Sequence, residues 1–271
     1  MLLSLPLDRL DLVLIPAGEF VRGDTRSTPE ALRAGRAVIS RPFWMAKMEV
    51  CNEQFAQFDP RHDSRLESGD FLQFSVQERG YPVNSARQPV VRVSWAQAVA
   101  FCQWLSELTG EVFTLPDETQ WEYACRAGSD TDLWFGGLDA DFSPYANLAD
   151  ASYRKVDTFG WGLPSGAIPP WRPAAAAVND RHRVSAPVGS YKPNAWGLHD
   201  MHGNAAEWTA TDAGPGRKVV RGGAWSDRPA QARSAARLAY PAWQRVYNVG
   251  FRVVAGAAPA RKVAMAPAEE K

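Results

Sequence analysis

The sequence predicts one compact, irregular domain in which a few helices and short strands sit within a loop-rich core. Three observations carry this expectation. The 271 residues include 21 Gly and 20 Pro, a density that forces many turns and limits long regular elements. Eleven Trp supply large apolar area, so a core of loops can hold together wherever each indole N–H finds a partner. Finally, only two segments carry strong helical signals. A helical bundle and a sandwich of alternating βα units are both excluded.

The first helix is read over Ser94–Leu108, where Ser94 and Gln97 form a capping box and Gly110 is the stop. Ala98, Phe101, Cys102, Leu105 and Leu108 fall on one stripe at three- and four-residue steps. The second runs from Asp117 to Ala127, capped by Asp117 with Gln120, closed by Gly128, and carrying Trp121, Ala124 and Cys125 on its inner face. A weaker third begins at Asn52, the expected cap, with Phe55 and Phe58. Short strands are read at Val13–Ile15, Val90–Val93, Lys218–Gly222 and Gly250–Val254. Residues 130–191 read as turn and loop, including the low-complexity stretch 172–178. No linker or repeat divides the chain, so residues 1–254 are one expected domain and 255–271 a disordered tail poor in large apolar residues.

Charge and cysteine usage narrow the function classes. Thirty basic residues balance thirty acidic ones, so no global field favours a polyanion and nucleic acid is not an expected partner. No apolar run approaches the roughly 20 residues of a membrane span, and no membrane partner is expected. The opening MLLSLPLDRLDLVLIP is interrupted by Asp8, Arg9 and Asp11 and does not read as a signal peptide. The expectation is a cytoplasmic protein whose three cysteines stay reduced. Cys102 and Cys125 sit on apolar helix faces and Cys51 beside a helix start, so all three read as core residues, and none has a neighbour at zinc or redox spacing.

His199 and His202 stand three apart, but two loop imidazoles need a third ligand that spacing does not supply. No nucleophile elbow, Walker loop or dinucleotide fingerprint is present. The run Asp200-Met-His-Gly203-Asn-Ala205-Ala-Glu207-Trp208 says more. Two carboxylates bracket a tight turn, and carboxylates converging with carbonyl oxygens are what calcium requires. By spacing alone, a solvated acidic turn would look identical.

Six ordered segments together resemble the formylglycine-generating enzyme family: VLIPAGEFVRG, PFWMAKMEVCNEQFAQF, PVVRVSWAQAVAFCQWLSELTGEVFTLPDETQWEYACRAG, APVGSYKPNAWGLHDMHGNAAEW, VVRGGAWSD and NVGFRVV. The resemblance runs from about Leu12 to Val254. It implies an α+β fold, the C-type lectin-like variant of that family, with little regular secondary structure. It also implies structural calcium. Carried over residue by residue, one site takes the side chains of Asp200 and Glu207 with the carbonyls of Gly203 and Ala205. A second takes Asn147, Leu148 and Asp180 with the carbonyl of His182. Ala206 stands where the family usually carries Trp.

The departure lies in catalysis. The family oxidises a sulfatase cysteine with copper held by two cysteines that follow an Arg-Gly-Gly motif. Here the segment reads RGGAWSDRPAQARSAARLAY, with Ser226 and Asp227 at the first expected position and no Cys after Cys125. Hydroxyl and carboxylate do not replace thiolates for Cu(I), so copper and sulfatase maturation are not expected. The resemblance leaves two roles. One is a module binding an unidentified protein or small molecule through Trp225, Asp227, Arg228, Arg233, Arg237, Tyr240, Trp243, Arg245 and Tyr247, since aromatic and Arg side chains suit recognition. The same side chains are equally suited to packing and to bonding loop carbonyls. The alternative is an oxidoreductase resembling the iron-dependent sulfoxide synthases or the siderophore-maturing oxidase of the family, in which iron enters only with a partner chain that carries the metal.

Overall fold

The computed structural model describes residues 10–25, 34–65, 83–152, 175 and 177–256. Ten short strands and three helices are assigned among them. Strands β1 (Leu12–Ile15), β4 (Phe43–Ala46), β5 (Phe113–Thr114) and β10 (Val254–Gly256) form an antiparallel sheet ordered β1-β4-β10-β5. Segments from the two ends of the described chain therefore flank the same strand. Strands β2 (Gly18–Arg22) and β3 (Gly35–Ile39) make a separate ribbon. Strands β6 (Ala206–Asp212), β7 (Arg217–Arg221), β8 (Leu238–Pro241) and β9 (Val249–Gly250) form a third sheet ordered β8-β7-β6-β9, in which only β6–β9 is parallel. This mixed architecture is the α+β arrangement the resemblance implies.

Local chemistry sets the helices. In α2 (Trp95–Thr109), Ser94 Oγ accepts from Gln97 N while Gln97 Oε1 accepts from Ser94 N at 3.0 Å. Gly110 ends it in the left-handed region, φ +73°, where a glycine carries no Cβ penalty. Helix α3 (Glu118–Arg126) is capped by Asp117 Oδ1, which accepts from Thr119 N and Gln120 N at 2.8 and 2.7 Å. Helix α1 spans Asn52–Phe58, but its cap is Cys51, whose N–H donates to Gln54 Oε1. Asn52 is instead the first helical residue, and its Nδ2 donates to the carbonyls of Val83, Ser85 and Gln88. Leu108 also departs from expectation. It lies on the last turn of α2, beyond the core, and is exposed.

The strand expected at Val90–Val93 does not form. All three valines are buried, yet successive N–H groups bond to different segments: Val90 to Val50 O, Val91 to Ser64 Oγ, Arg92 to Val246 O. Arg92 also adopts φ +58°, which no strand accommodates. The strand expected at Gly250–Val254 is split into β9 and β10, because residues 251 and 253 give their carbonyls to Val50 and Ala46. Strand β10 ends at Gly256, two residues past the expected domain limit; 257–271 lie outside the described residues, as does most of 172–178. Between 130 and 191 the described residues form no helix or strand, as expected.

The core is aromatic. Phe55 stacks on Phe101, and both rings meet Phe251 edge-on. Three indole N–H groups find acceptors: Trp208 on Val93 O and Trp95 on Thr209 O, each at 2.9 Å, and Trp121 on Glu207 at 2.7 Å. Ala206 is buried in this core. Cys51, Cys102 and Cys125 are all free and buried, and burial pushes the thiols of Cys102 and Cys125 up to about 12. Native protein treated with a thiol reagent at pH 8 is therefore expected to label Cys102 and Cys125 at least tenfold more slowly than urea-unfolded protein, by roughly the scarcity of thiolate and access. Mass mapping of the labelled peptides checks this; equal rates in both states would remove these two from the core.

Candidate functional site

The segment leading into β6 is a succession of tight turns. Asp200, Gly203 and Asn204 all lie in the left-handed region, at φ +58°, +77° and +58°. At Gly203 a Cβ would fall 2.0 Å from the Asn147 carbonyl oxygen, so only glycine lets the two segments run side by side. Asn204 N then donates to that oxygen at 2.9 Å. Asn147 and Leu148 of one calcium set are thus brought against Gly203 of the other, although 56 and 55 positions separate them in the chain.

Asn204 is the hub of that region. Its Nδ2 donates to Glu49 Oε1 at 3.1 Å, and its Oδ1 accepts from Asn147 Nδ2 and Ala186 N at 3.2 and 2.8 Å. Asp200 Oδ2 accepts from Gly189 N at 2.6 Å. The Asp200 and Glu49 carboxyls face each other. Burial raises both, and the charge of Asp200 lifts Glu49 further, against the pull of Arg252. Two oxygens here have no donor, Glu49 Oε2 and Asp200 Oδ1, on residues 2% and 3% exposed.

Glu207 is differently placed from the ligand the resemblance implies. Arg252 Nε donates to its two oxygens at 2.9 and 2.8 Å, Arg252 Nη2 to Oε1 at 2.6 Å, and Trp121 Nε1 to Oε2 at 2.7 Å. These bonds match the about four acceptor positions of a carboxylate. Arg252 is itself fully engaged, with Nη1 on the carbonyls of Ala46 and Lys47 and Nη2 on that of His199.

In the second set, Asp180 Oδ2 accepts from Leu148 N at 3.1 Å and Oδ1 from His182 N at 2.8 Å. Asp180 N in turn donates to Asp150 Oδ2. Burial, together with the Asp150 charge, pushes the Asp180 carboxyl up to about 8. Asn147 Oδ1 has no donor. Among the described residues no three His, Cys, Asp or Glu side chains converge as a ligand set. A cation here would therefore rest on amide and carbonyl oxygens beside one or two carboxylates, a donor set that suits calcium and not a transition metal. Asn147, Asp180 and Asp200 fit that demand, with an unpartnered oxygen in each set; Glu207 does not, its oxygens being taken.

The imidazoles make no centre of their own. His202 is fully buried, donates from Nδ1 to Ala232 O at 2.7 Å and accepts from Trp134 N at Nε2. Burial pushes it down to about 4, so the ring is neutral and packed. His199 Nδ1 bonds Tyr191 O, and His182 Nδ1 bonds the Tyr191 hydroxyl.

The expected ligand surface divides. Trp225 is buried, its ring edge-on to Tyr247. Arg233 is buried as well, paired with Asp24 at 2.9 Å, and Arg237 holds Glu118 at 3.1 Å. These three belong to the framework. Arg228, Arg245 and Trp243 are exposed, Trp243 to 77%, while Asp227, Tyr240 and Tyr247 are half-buried. Asp227 Oδ2 folds back to accept from Ala224 N at 2.9 Å, and Ser226 Oγ accepts from Asn248 Nδ2 at 3.2 Å. Sequence reasoning did not single out Glu49, Asn204, Asn248 or Arg252. For Arg252 a signal existed, since a lone Arg within VGFRVV has no solvent-facing period to account for it.

A sequence profile described as sulfatase-modifying factor enzyme 1-like domain matches residues 6–257. Formylglycine-generating enzyme of Bos taurus is 27% identical over 238 residues, 73% of this chain but 57% of its own length. The matched region thus spans little more than half of that relative. Inactive C-alpha-formylglycine-generating enzyme 2 of Bos taurus is 27% identical over 293 residues, covering 92% of this chain and 89% of its own. Among solved structures, PvdO from Pseudomonas aeruginosa superposes with a TM-score of 0.71 at 24% identity, covering 91% of this chain and 94% of that one, and confirms the fold.

Replacing Arg252 by Met leaves Glu207 buried without its counter-charge, and is expected to cost about 3–5 kcal/mol in urea unfolding. The double variant with Glu207→Met is expected to cost less than the sum of the singles, because the stranded charge is gone. Additive losses would show that the pair is not coupled.

Proposed function

The chain belongs to the sulfatase-modifying factor enzyme 1-like family, and from that premise we propose that it is a ligand- or protein-binding member, stabilised by calcium and without sulfatase-maturing activity. One observation carries this reading. The loop after Arg221-Gly222-Gly223, where the family resemblance places copper thiolates, offers Ser226 and Asp227, and all three cysteines lie elsewhere in the core. Oxygen donors are mismatched to Cu(I). Around that loop stand half-buried Tyr240 and Tyr247 and exposed Arg228, groups that recognise a partner without reacting with it. That the chain runs along nearly the whole of a relative named as inactive supports the same reading.

Calcium is supported by the hard donor set and the unpartnered oxygens of Asn147 and Asp200. Asn147 and Asp180 with the carbonyls of Leu148 and His182 would hold one ion; Asp200 with the carbonyls of Gly203 and Ala205 would supply the other. The ion would offset carboxylate repulsion and add stability by mass action.

A second reading rests on Ser226, Tyr247 and Asp227, a half-exposed group able to move protons. Under it the chain is an oxidoreductase whose iron arrives with a partner chain. Metal analysis separates the two. Protein purified without added metal is expected to contain calcium and neither copper nor stoichiometric iron, and bound iron would favour the second reading.

Two outcomes test the proposal in solution. A sulfatase-derived Cys peptide incubated with the protein, Cu(I), reductant and oxygen is expected to yield no aldehyde by mass spectrometry; turnover would sink the argument from the missing thiolates. Chelation is expected to lower the melting temperature by roughly 5–10 °C, the equivalent of about 2.7 kcal/mol at a hundredfold excess of calcium over its dissociation constant. Calcium should restore it better than magnesium, whose octahedral shell tolerates carbonyl cages poorly. A melting curve indifferent to both would remove calcium from the account.

A further inference from the structure

We propose that Glu49 and Asp200 together hold one divalent, oxygen-preferring cation, Glu49 serving in the place that the family resemblance gives to Glu207. The inference rests on the calcium reading above and changes its ligand set. Glu49 stands at the mouth of α1, 151 positions before Asp200, so no motif joins them. The fold nevertheless brings their carboxyls face to face in the interior.

Each carboxyl has one oxygen held and one free. Glu49 Oε1 is fixed by Asn204 Nδ2, and Asp200 Oδ2 by Gly189 N. The remaining oxygens, Glu49 Oε2 and Asp200 Oδ1, receive no hydrogen bond, although both residues are more than nine-tenths buried. Buried acceptors without partners are costly, and an acceptor pair anchored from behind is oriented toward a common cation.

Charge gives the same answer. Glu49, Asp200 and Glu207 face the guanidinium of Arg252, three carboxylates against one fixed positive charge, with His199 beside Asp200. Arg252 is spent on Glu207 and on three backbone carbonyls. Two negative charges are left over, the number a divalent ion neutralises. Carboxylate oxygens are hard donors, so the ion is of the calcium type.

The experiment titrates chelator-stripped, full-length protein with calcium chloride by isothermal calorimetry, for the wild type, Glu49→Gln and Asp180→Asn. Glu49→Gln is expected to lose one calcium or bind it roughly tenfold or more weakly, since ligand charge sets affinity. Asp180→Asn is expected to affect the other ion. Without calcium, Glu49→Gln should melt no lower than stripped wild type, because an amide removes one buried negative charge; its rise on adding calcium should shrink. Glu207→Gln should instead lose stability equally with and without calcium.

Wild-type affinity and stoichiometry in Glu49→Gln would overturn this inference while leaving calcium binding in place. If the wild type takes up no calcium, the calcium reading falls too, and the two carboxyls share a proton. Should Glu49→Gln not fold, Glu49→Asp is measured in its stead. It keeps the charge but withdraws the carboxylate by one methylene, and calcium affinity equal to wild type would likewise overturn the proposal.

Discussion

The buried ion pair of Glu207 and Arg252 is the interaction on which the remaining interior depends. Two charges taken from water cost several kcal/mol each, and the cost is offset only where geometry and surrounding hydrogen bonds are complete. Here they are. Glu207 opens β6, Trp121 reaches it from α3, and Arg252 comes from the segment between β9 and β10. The guanidinium then collects carbonyls from residues 46, 47 and 199. One side-chain pair thus joins two of the three sheets, a helix and the acidic turn. Regular structure is sparse, so this polar knot performs part of the ordering that long helices provide in other folds.

What was legible in the sequence was mostly local. The capping boxes at Ser94 and Asp117 are short-range hydrogen-bond patterns, and both helices begin where those patterns place them. The first and third expected strands formed within a residue or so of their expected limits. Val90–Val93 was illegible for a physical reason: its apolar run records burial, and burial alone does not decide whether neighbours bond as a ladder or singly. The four residues are in fact each pinned to a different segment, with Arg92 turned into the left-handed region. Strands β2, β3, β4, β5, β6 and β8 were missed because they are short or weakly patterned, and strand propensity depends strongly on context.

The candidate site shows the same division. The acidic turn announced itself because its residues are adjacent, and Gly203 proved indispensable to its close approach. Glu49 gave no such notice, and Arg252 only its oddity within an apolar run, since each acts through partners more than forty positions away. Arg233 and Trp225 were read as surface because Arg and Trp serve interiors and interfaces alike. Their burial, with Asp24 matched to Arg233, is decided by tertiary contacts that a linear pattern does not encode.

The two ionic networks also explain how the loop after β7 can change its chemistry without loss of the fold. Glu207 and Arg221 are cross-strand neighbours in β6 and β7. Glu207 grips Trp121, and Arg221 grips Glu122 at 2.6 Å, so consecutive residues of α3 are clamped by one rung of the sheet. Arg221 also takes the Ser234 carbonyl, which fixes the far end of the loop. At the near end, Gly223 lies so close to Ala232 that an added Cβ would approach it within 2.9 Å, drawing the two sides together. Both ends are therefore held by residues outside positions 224–231. Within that span Asp227 stabilises its own turn by accepting from Ala224 N, a bond that needs neither metal nor thiol. A loop held in this way can exchange its own residues while the scaffold around it stays in place.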